Sequence, residues 1–158
     1  KMVRAKVSAQ NFAFEVMYEG MVRSWVPLEG KKPLGVIFEN HLITLHDSSR
    51  TVPWREVVKY CREIKIEGHA CSAGKIGFWK KVMSSCEEQK KALDNLLISL
   101  GGDTIVVQGK WYWSSSEYDG YHAWVFCTLI GADWGGVDYR NKYGNYVVHP
   151  VLDLSELS

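Results

Sequence analysis

The sequence predicts a segregated α+β domain. Three features carry that reading: paired β-type runs with tight turns near the start, three helix-period segments in the middle, and an antiparallel meander near the end. Strands and helices do not alternate, as βαβ units would require. At 158 residues the chain is long enough for one core and short for two. No repeat, low-complexity tract or linker divides it, so a single domain over 1–158 is expected: hairpins 12–45, helices 53–100, meander 111–152.

Phe12 to Met17 and Met21 to Pro27 read as two strands joined by Tyr18-Glu19-Gly20, where Gly can take positive φ. Leu34 to Glu39 and Leu42 to Leu45 make a second hairpin around Asn40-His41. Asp47 to Thr51 supplies turn and capping residues, and Pro53 suits a first helical turn because its missing N–H would be unpaired there anyway. Trp54, Val57, Val58, Cys61 and Ile64 then recur at helical spacing as one apolar stripe, closed by Gly68. Ile76, Trp79, Val82, Met83 and Cys86 repeat the pattern. Ala92, Leu93, Leu96, Leu97 and Leu100 make a third helix that stops at Gly101-Gly102.

The segment from Trp111 to Leu152 holds four of the seven Trp and six of the eight Tyr. Tyr112-Trp113, Ala123 to Leu129, Val137 to Arg140 and Tyr146 to Leu152 are β-type runs separated by turn formers. Aromatic rings are usually core, but a small domain has room inside for about half of these. Several Tyr and Trp are therefore expected on a solvent-facing surface, where rigid amphipathic rings beside Asn, Asp and Ser resemble an antibody paratope. The bland alternative is a β-sheet core with ordinary polar turns.

Composition excludes other classes. Net charge is +1 with acids and bases interspersed, which gives no electrostatic footprint for nucleic acid or an anionic membrane. No apolar run approaches the roughly 18 residues that span a bilayer, and Lys1-Met2-Val3-Arg4 has no signal-peptide core. A chain that does not begin with Met leaves a removed leader open. The four cysteines, Cys61, Cys71, Cys86 and Cys127, have irregular spacing that demands no pairing. Cys61 and Cys86 fall on apolar helix faces, which favours buried free thiols over disulfides.

Trp113-Ser114-Ser115-Ser116-Glu117-Tyr118, then Ala123-Trp124, then Asn141-Lys142, then Tyr146-Val147-Val148-His149-Pro150-Val151-Leu152 resembles the closing signature of a bacterial C-type-lectin-like family. That family is related to the formylglycine-generating-enzyme fold and includes ligand-binding variable proteins diversified by retroelements. Its pattern reads YWSS(S/T)E, AW, NK and VRPVL. The opening is similar too, from Tyr18-Glu19-Gly20 to Lys31-Lys32-Pro33-Leu34-Gly35-Val36-Ile37-Phe38, so the likeness covers about Tyr18 to Leu152. This chain departs at His149, where the family has Arg, and at Ser72 to Trp79, where the family has WRLP(T/S).

The resemblance implies a C-type-lectin-like fold and a non-enzymatic recognition domain, binding a protein or glycan on a cell surface in a secreted, surface-displayed or phage-associated setting. It places the ligand-binding side chains between the fixed anchors: Tyr118, Asp119, Tyr121 and His122 on one part, Asp133 and Trp134 in a loop, Asp138 and Arg140 on a strand, Tyr143 and Asn145 at the last turn. Independently, Asp138 and Arg140 alternate with Val137 and Tyr139, so a strand puts both charges on one side, which should be wet. The Ser-Ser-Ser-Glu run reads as scaffold, its hydroxyls and carboxylate capping nearby N–H groups.

Other chemistries find weaker support. The formylglycine-generating relatives use a cysteine pair in their C-terminal half, and only Cys127 lies there, so a divergent enzyme of that type is the weaker alternative. Cys127 and His122 are five apart and do not share a strand face. Cys61, His69, Cys71 and Cys86 lack zinc spacing, and the Glu-Pro-Asn, Gln-Pro-Asp and Trp-Asn-Asp motifs of calcium-dependent sugar binding are missing. No metal or cofactor is expected. A further alternative is a structural module of a surface or phage tail assembly.

Overall fold

The computed structural model of the chain describes residues 14–106, 109–127 and 136–157. Among these the protein is mixed α+β, with three α-helices and several antiparallel sheets. β1 (Glu15–Tyr18) pairs with β2 (Val22–Ser24), and β3 (Pro33–Phe38) pairs with β4 (His41–Thr44). The second turn is Glu39-Asn40, one residue earlier than the sequence suggested. Both residues have positive φ, 47° and 58°, the backbone that matches strand twist across a two-residue loop.

β5 (Val52–Pro53) leads into α1 (Trp54–Glu63), for which Pro53 is the N-cap residue. Val57 and Cys61 are buried as the stripe requires, but Val58 is exposed. Gly68 does not end this helix. It forms, with Glu67, the positive-φ turn of a small hairpin between β6 (Lys65–Ile66) and β7 (His69–Ala70).

α2 (Ile76–Met83) buries Phe78, Trp79, Val82 and Met83. Cys86 lies beyond its end as the exposed N-cap residue of α3 (Glu87–Ser99), which corrects its expected burial on an apolar face. All four cysteines are free thiols, and the other three are buried. α3 stops as expected: Gly101 takes φ 85°, and the N–H of Gly102 donates to Leu97 O at 2.8 Å. None of these helices is long and apolar enough to cross a membrane.

β8 (Trp111–Glu117), β9 (His122–Cys127) and β10 (Val137–Asn141) form a three-stranded meander in the order β10-β9-β8. The run from Tyr146 does not extend it as a fourth strand. β11 (Asn145–Tyr146) pairs with β5, and β12 (Val151–Asp153) crosses to the first sheet, whose order is β12-β4-β3-β1-β2. The two ends of the described chain thus share one sheet, and a short 3-10 helix, Leu154–Leu157, closes it.

The main core joins both sheets. Trp79 of α2 stacks on Phe126 at 4.2 Å, and Phe126 on Tyr112 at 5.2 Å, above Val16, Val36, Ile43 and the α3 leucines. A second core packs Val57 and Cys61 of α1 against Trp113, Ala123, Val125 and Val148. The meander is therefore covered on both faces over part of its length.

His149 is fully buried, and its Nε2 donates to Thr44 O at 2.5 Å. Among the described residues no carboxylate forms an ion pair with it.

Candidate functional site

Strand alternation assigns the meander residues to two faces. Cα partners in an antiparallel pair point the same way, and successive residues point opposite ways. Phe126 sits opposite Val137 and Tyr112, Trp124 opposite Tyr139, and His122 opposite Asn141, so these residues share one face. Ala123 and Val125, opposite Arg140 and Asp138, share the other.

The first face changes character along its length. At the Phe126 end it is sealed by Trp79 of α2; Lys80, the next residue of that helix, lies over the Trp124 ring at 5.7 Å. Past that edge the face is open. Tyr118 and Tyr139 stack there with ring centres 3.9 Å apart and planes 1° from parallel. Trp124 meets them edge-on at 5.2 and 5.7 Å, and His122 meets them at 6.3 and 5.5 Å. Tyr118 is 47% exposed and Tyr139 42%.

Beyond this cluster the β8–β9 turn and the β10–β11 turn stand side by side. Tyr121 is 72% exposed and Tyr143 79%. The turns are not loose: Lys142 N donates to Tyr121 O at 2.8 Å, and Asn141 Oδ1 accepts the Tyr143 N–H at 2.9 Å. Asp119 Oδ1 accepts from Tyr121 N, His122 N and His122 Nδ1. The His122 hydrogen bond, helped by these N–H donors, holds the Asp119 carboxyl below its ordinary range. With α1 the turns enclose a cleft of about 290 Å³ lined by Trp54, Arg55, Gly120, Tyr121, Lys142 and Tyr143.

The Ser114-Ser115-Ser116-Glu117 run is tied into the framework. Ser116 Oγ accepts the Ile76 N–H at the start of α2 at 2.9 Å, and Ser114 Oγ donates to Trp124 O at 2.8 Å. Among the described residues Glu117 caps no backbone N–H; its Oε2 accepts from Lys142 Nζ at 2.7 Å. Lys142 also lies over the Trp54 ring at 4.7 Å, and the Trp54 indole donates to Ser114 O. Lys142 thus ties the end of β10 to both β8 and α1.

Of the residues expected to bind ligand, Tyr118, Asp119, Tyr121, His122 and Tyr143 come together at this end of the meander. Asn145 is exposed nearby, where β11 pairs with Pro53. Asp133 and Trp134 lie outside the described residues.

Asp138 and Arg140 do share one side, but it is the face of the second core rather than the open one. They form an ion pair with each other, each is half-buried, and Arg140 covers the Trp111 ring at 5.0 Å. The Arg140 hydrogen bond holds the Asp138 carboxyl low. The wetter alternates of this strand are Tyr139 and Asn141.

Tyr139, Trp124, Trp54, Arg55 and Lys142 were missed by sequence reasoning. Alternation alone would have paired Tyr139 with the open side. The α1 residues carry no local signal, since only folding brings them to the turns.

Cys127 is buried, on the face opposite His122, so the two do not meet. Among the described residues no group of three or more His, Cys, Asp or Glu side chains is placed to share a cation. No protein-family description and no curated protein matches this chain.

Proposed function

We propose that this chain is a non-enzymatic recognition domain with a C-type-lectin-like framework, of the kind used by retroelement-diversified variable proteins. It presents the Tyr118, Tyr121, Tyr139 and Tyr143 surface to a protein or glycan on a cell surface. The observation that carries this reading is the contrast within one short meander. Tyr112, Trp113 and Phe126 are wholly buried, whereas Tyr118 just past the end of β8, Tyr139 within β10, and Tyr121 and Tyr143 on hydrogen-bonded turns all face solvent.

Such rings offer large contact area at small conformational cost, because each has only two side-chain torsions and its backbone is already fixed. Asp119, His122, Asn141 and Asn145 supply polar contacts around them. The closing sequence signature and the crossing of β12 to the first sheet support the framework assignment.

The test is a screen of the purified chain against glycan and cell-surface protein arrays, with the Tyr121→Ala/Tyr143→Ala variant beside it. The reading requires a partner whose signal the variant loses. A partner bound equally by both proteins would place the site elsewhere.

A further inference from the structure

The cleft beside the tyrosine surface has a composition that narrows its ligand. Its walls are aromatic, from Trp54, Tyr121 and Tyr143, and its charged groups are Arg55 and Lys142, with no carboxylate in the lining. Lys142 is already engaged by Glu117 Oε2, by Gly120 O at 3.3 Å and by the Trp54 ring. Asp119, one turn residue away, spends its Oδ1 on three donors.

The Arg55 guanidinium is different. It is exposed at the cleft and has no ion-pair or side-chain hydrogen-bond partner among the described residues. A planar fork of donors left open beside aromatic rings matches a carboxylate carried on a group with an apolar face.

We infer that this cleft binds a carboxylate-bearing pyranose of an acidic glycan, with Arg55 taking the carboxylate and the tyrosine and tryptophan rings packing on the C–H face of the sugar. The inference rests on the recognition reading above and names the ligand class for one part of that surface. The size agrees: about 290 Å³ is at the small end of ligand pockets and admits one sugar ring rather than a folded peptide segment. The exposed Tyr121 and Tyr143 hydroxyls can donate to and accept from ring hydroxyls. Lys142 is held in place by its own contacts and adds positive potential without competing for the ligand.

Isothermal titration with two acidic probes and their neutral counterparts tests this: trigalacturonate against trigalactose, and sialyllactose against lactose. At least one acidic probe should bind about tenfold or more tightly than its counterpart, and the pair that shows it identifies uronic or sialic chemistry. Arg55→Ala should remove that preference. Lys91→Ala, an equal charge change on α3 outside the cleft, should keep it.

Equal binding of acidic and neutral sugars, no binding of any of the four, or an acidic preference that survives Arg55→Ala would overturn the assignment. So would capture of a pentaglutamate peptide through Arg55 in place of sugars. In these cases the recognition reading still stands if an array partner depends on Tyr121 and Tyr143. If no array partner does, both readings fall.

Discussion

Tyr118 and Tyr139, twenty-one positions apart in sequence, lie ring on ring at 3.9 Å with their planes 1° from parallel. The contact exists because β10 runs antiparallel to β9 and places Tyr139 opposite Trp124, beside the start of the β8–β9 turn. It orders two half-exposed rings before any ligand arrives. A double-mutant cycle with Tyr118→Ala and Tyr139→Ala, read by urea unfolding, should show a coupling of about 0.5 kcal/mol, the low end for aromatic pairs because both rings are wet. Charge repulsion from Tyr139 and the hydrogen bond that the Tyr118 hydroxyl donates to it also push the Tyr118 phenol above its ordinary value. Removing Tyr139 should therefore let Tyr118 ionise at lower pH in an ultraviolet titration.

Framework and surface should separate energetically. Trp113 is fully buried, donates its indole N–H to Val52 O at 2.7 Å and packs against Tyr146, so Trp113→Ala should cost about 3–5 kcal/mol. Tyr143→Ala, at an exposed turn tip, should stay within about 0.5 kcal/mol. Denaturant midpoints of the two variants decide this. Comparable losses would mean that the Tyr143 ring is part of the core.

Ser116 joins the meander to α2 through its hydroxyl on the Ile76 N–H. Ser116→Ala leaves that first helical N–H without its acceptor and should cost about 1 kcal/mol. Amide exchange at Ile76 should quicken in the variant. Unchanged exchange would show that water replaces the hydroxyl without loss.

His149 makes the fold sensitive to mild acid. Burial pushes its pKa below the ordinary value, and His46 adds to this, against the opposing pull of Thr44 O, Asp47 and Asp103. Above about pH 6.5 the imidazole is neutral in both folded and unfolded chains, and stability is full. As pH falls below that value the unfolded chain takes up a proton that the folded one refuses. Stability then drops by up to about 1.4 kcal/mol per pH unit until the folded pKa is reached. His149→Gln should flatten that part of the stability curve relative to the wild type. Parallel curves for the two proteins would rule His149 out as the cause.

Much of this architecture was legible because it is local. The hairpins announced themselves through Gly20 and Asn40, the helices through their apolar spacing, and the end of α3 through Gly101. What escaped was set by contacts distant in sequence or by a turn that imitated another. Gly68 has the positive φ of a helix stop but serves a hairpin, because Ile64 had already turned extended and Lys65-Ile66 could pair back on His69-Ala70. Val151 pairs with Ile43 more than a hundred residues away, which no local pattern encodes. At the site, the tyrosine-rich turns were readable from composition, whereas Asp138 and Arg140 misled because charge suggested solvent. Their mutual ion pair lets them lie half-buried and leaves Tyr139 on the open side.

The most direct measurement pairs binding with melting for one variant, Tyr118→Ser/Tyr121→Ser/Tyr139→Ser/Tyr143→Ser. Titrated with the partner found on the arrays, it should lose about two orders of magnitude or more in affinity, since exposed aromatic anchors dominate such surfaces. Its melting temperature should fall by no more than a few degrees, as expected for exposed positions outside the core. Affinity retained by the folded variant, or a variant that no longer folds, would contradict the claim that these four rings form a ligand surface on an independent framework.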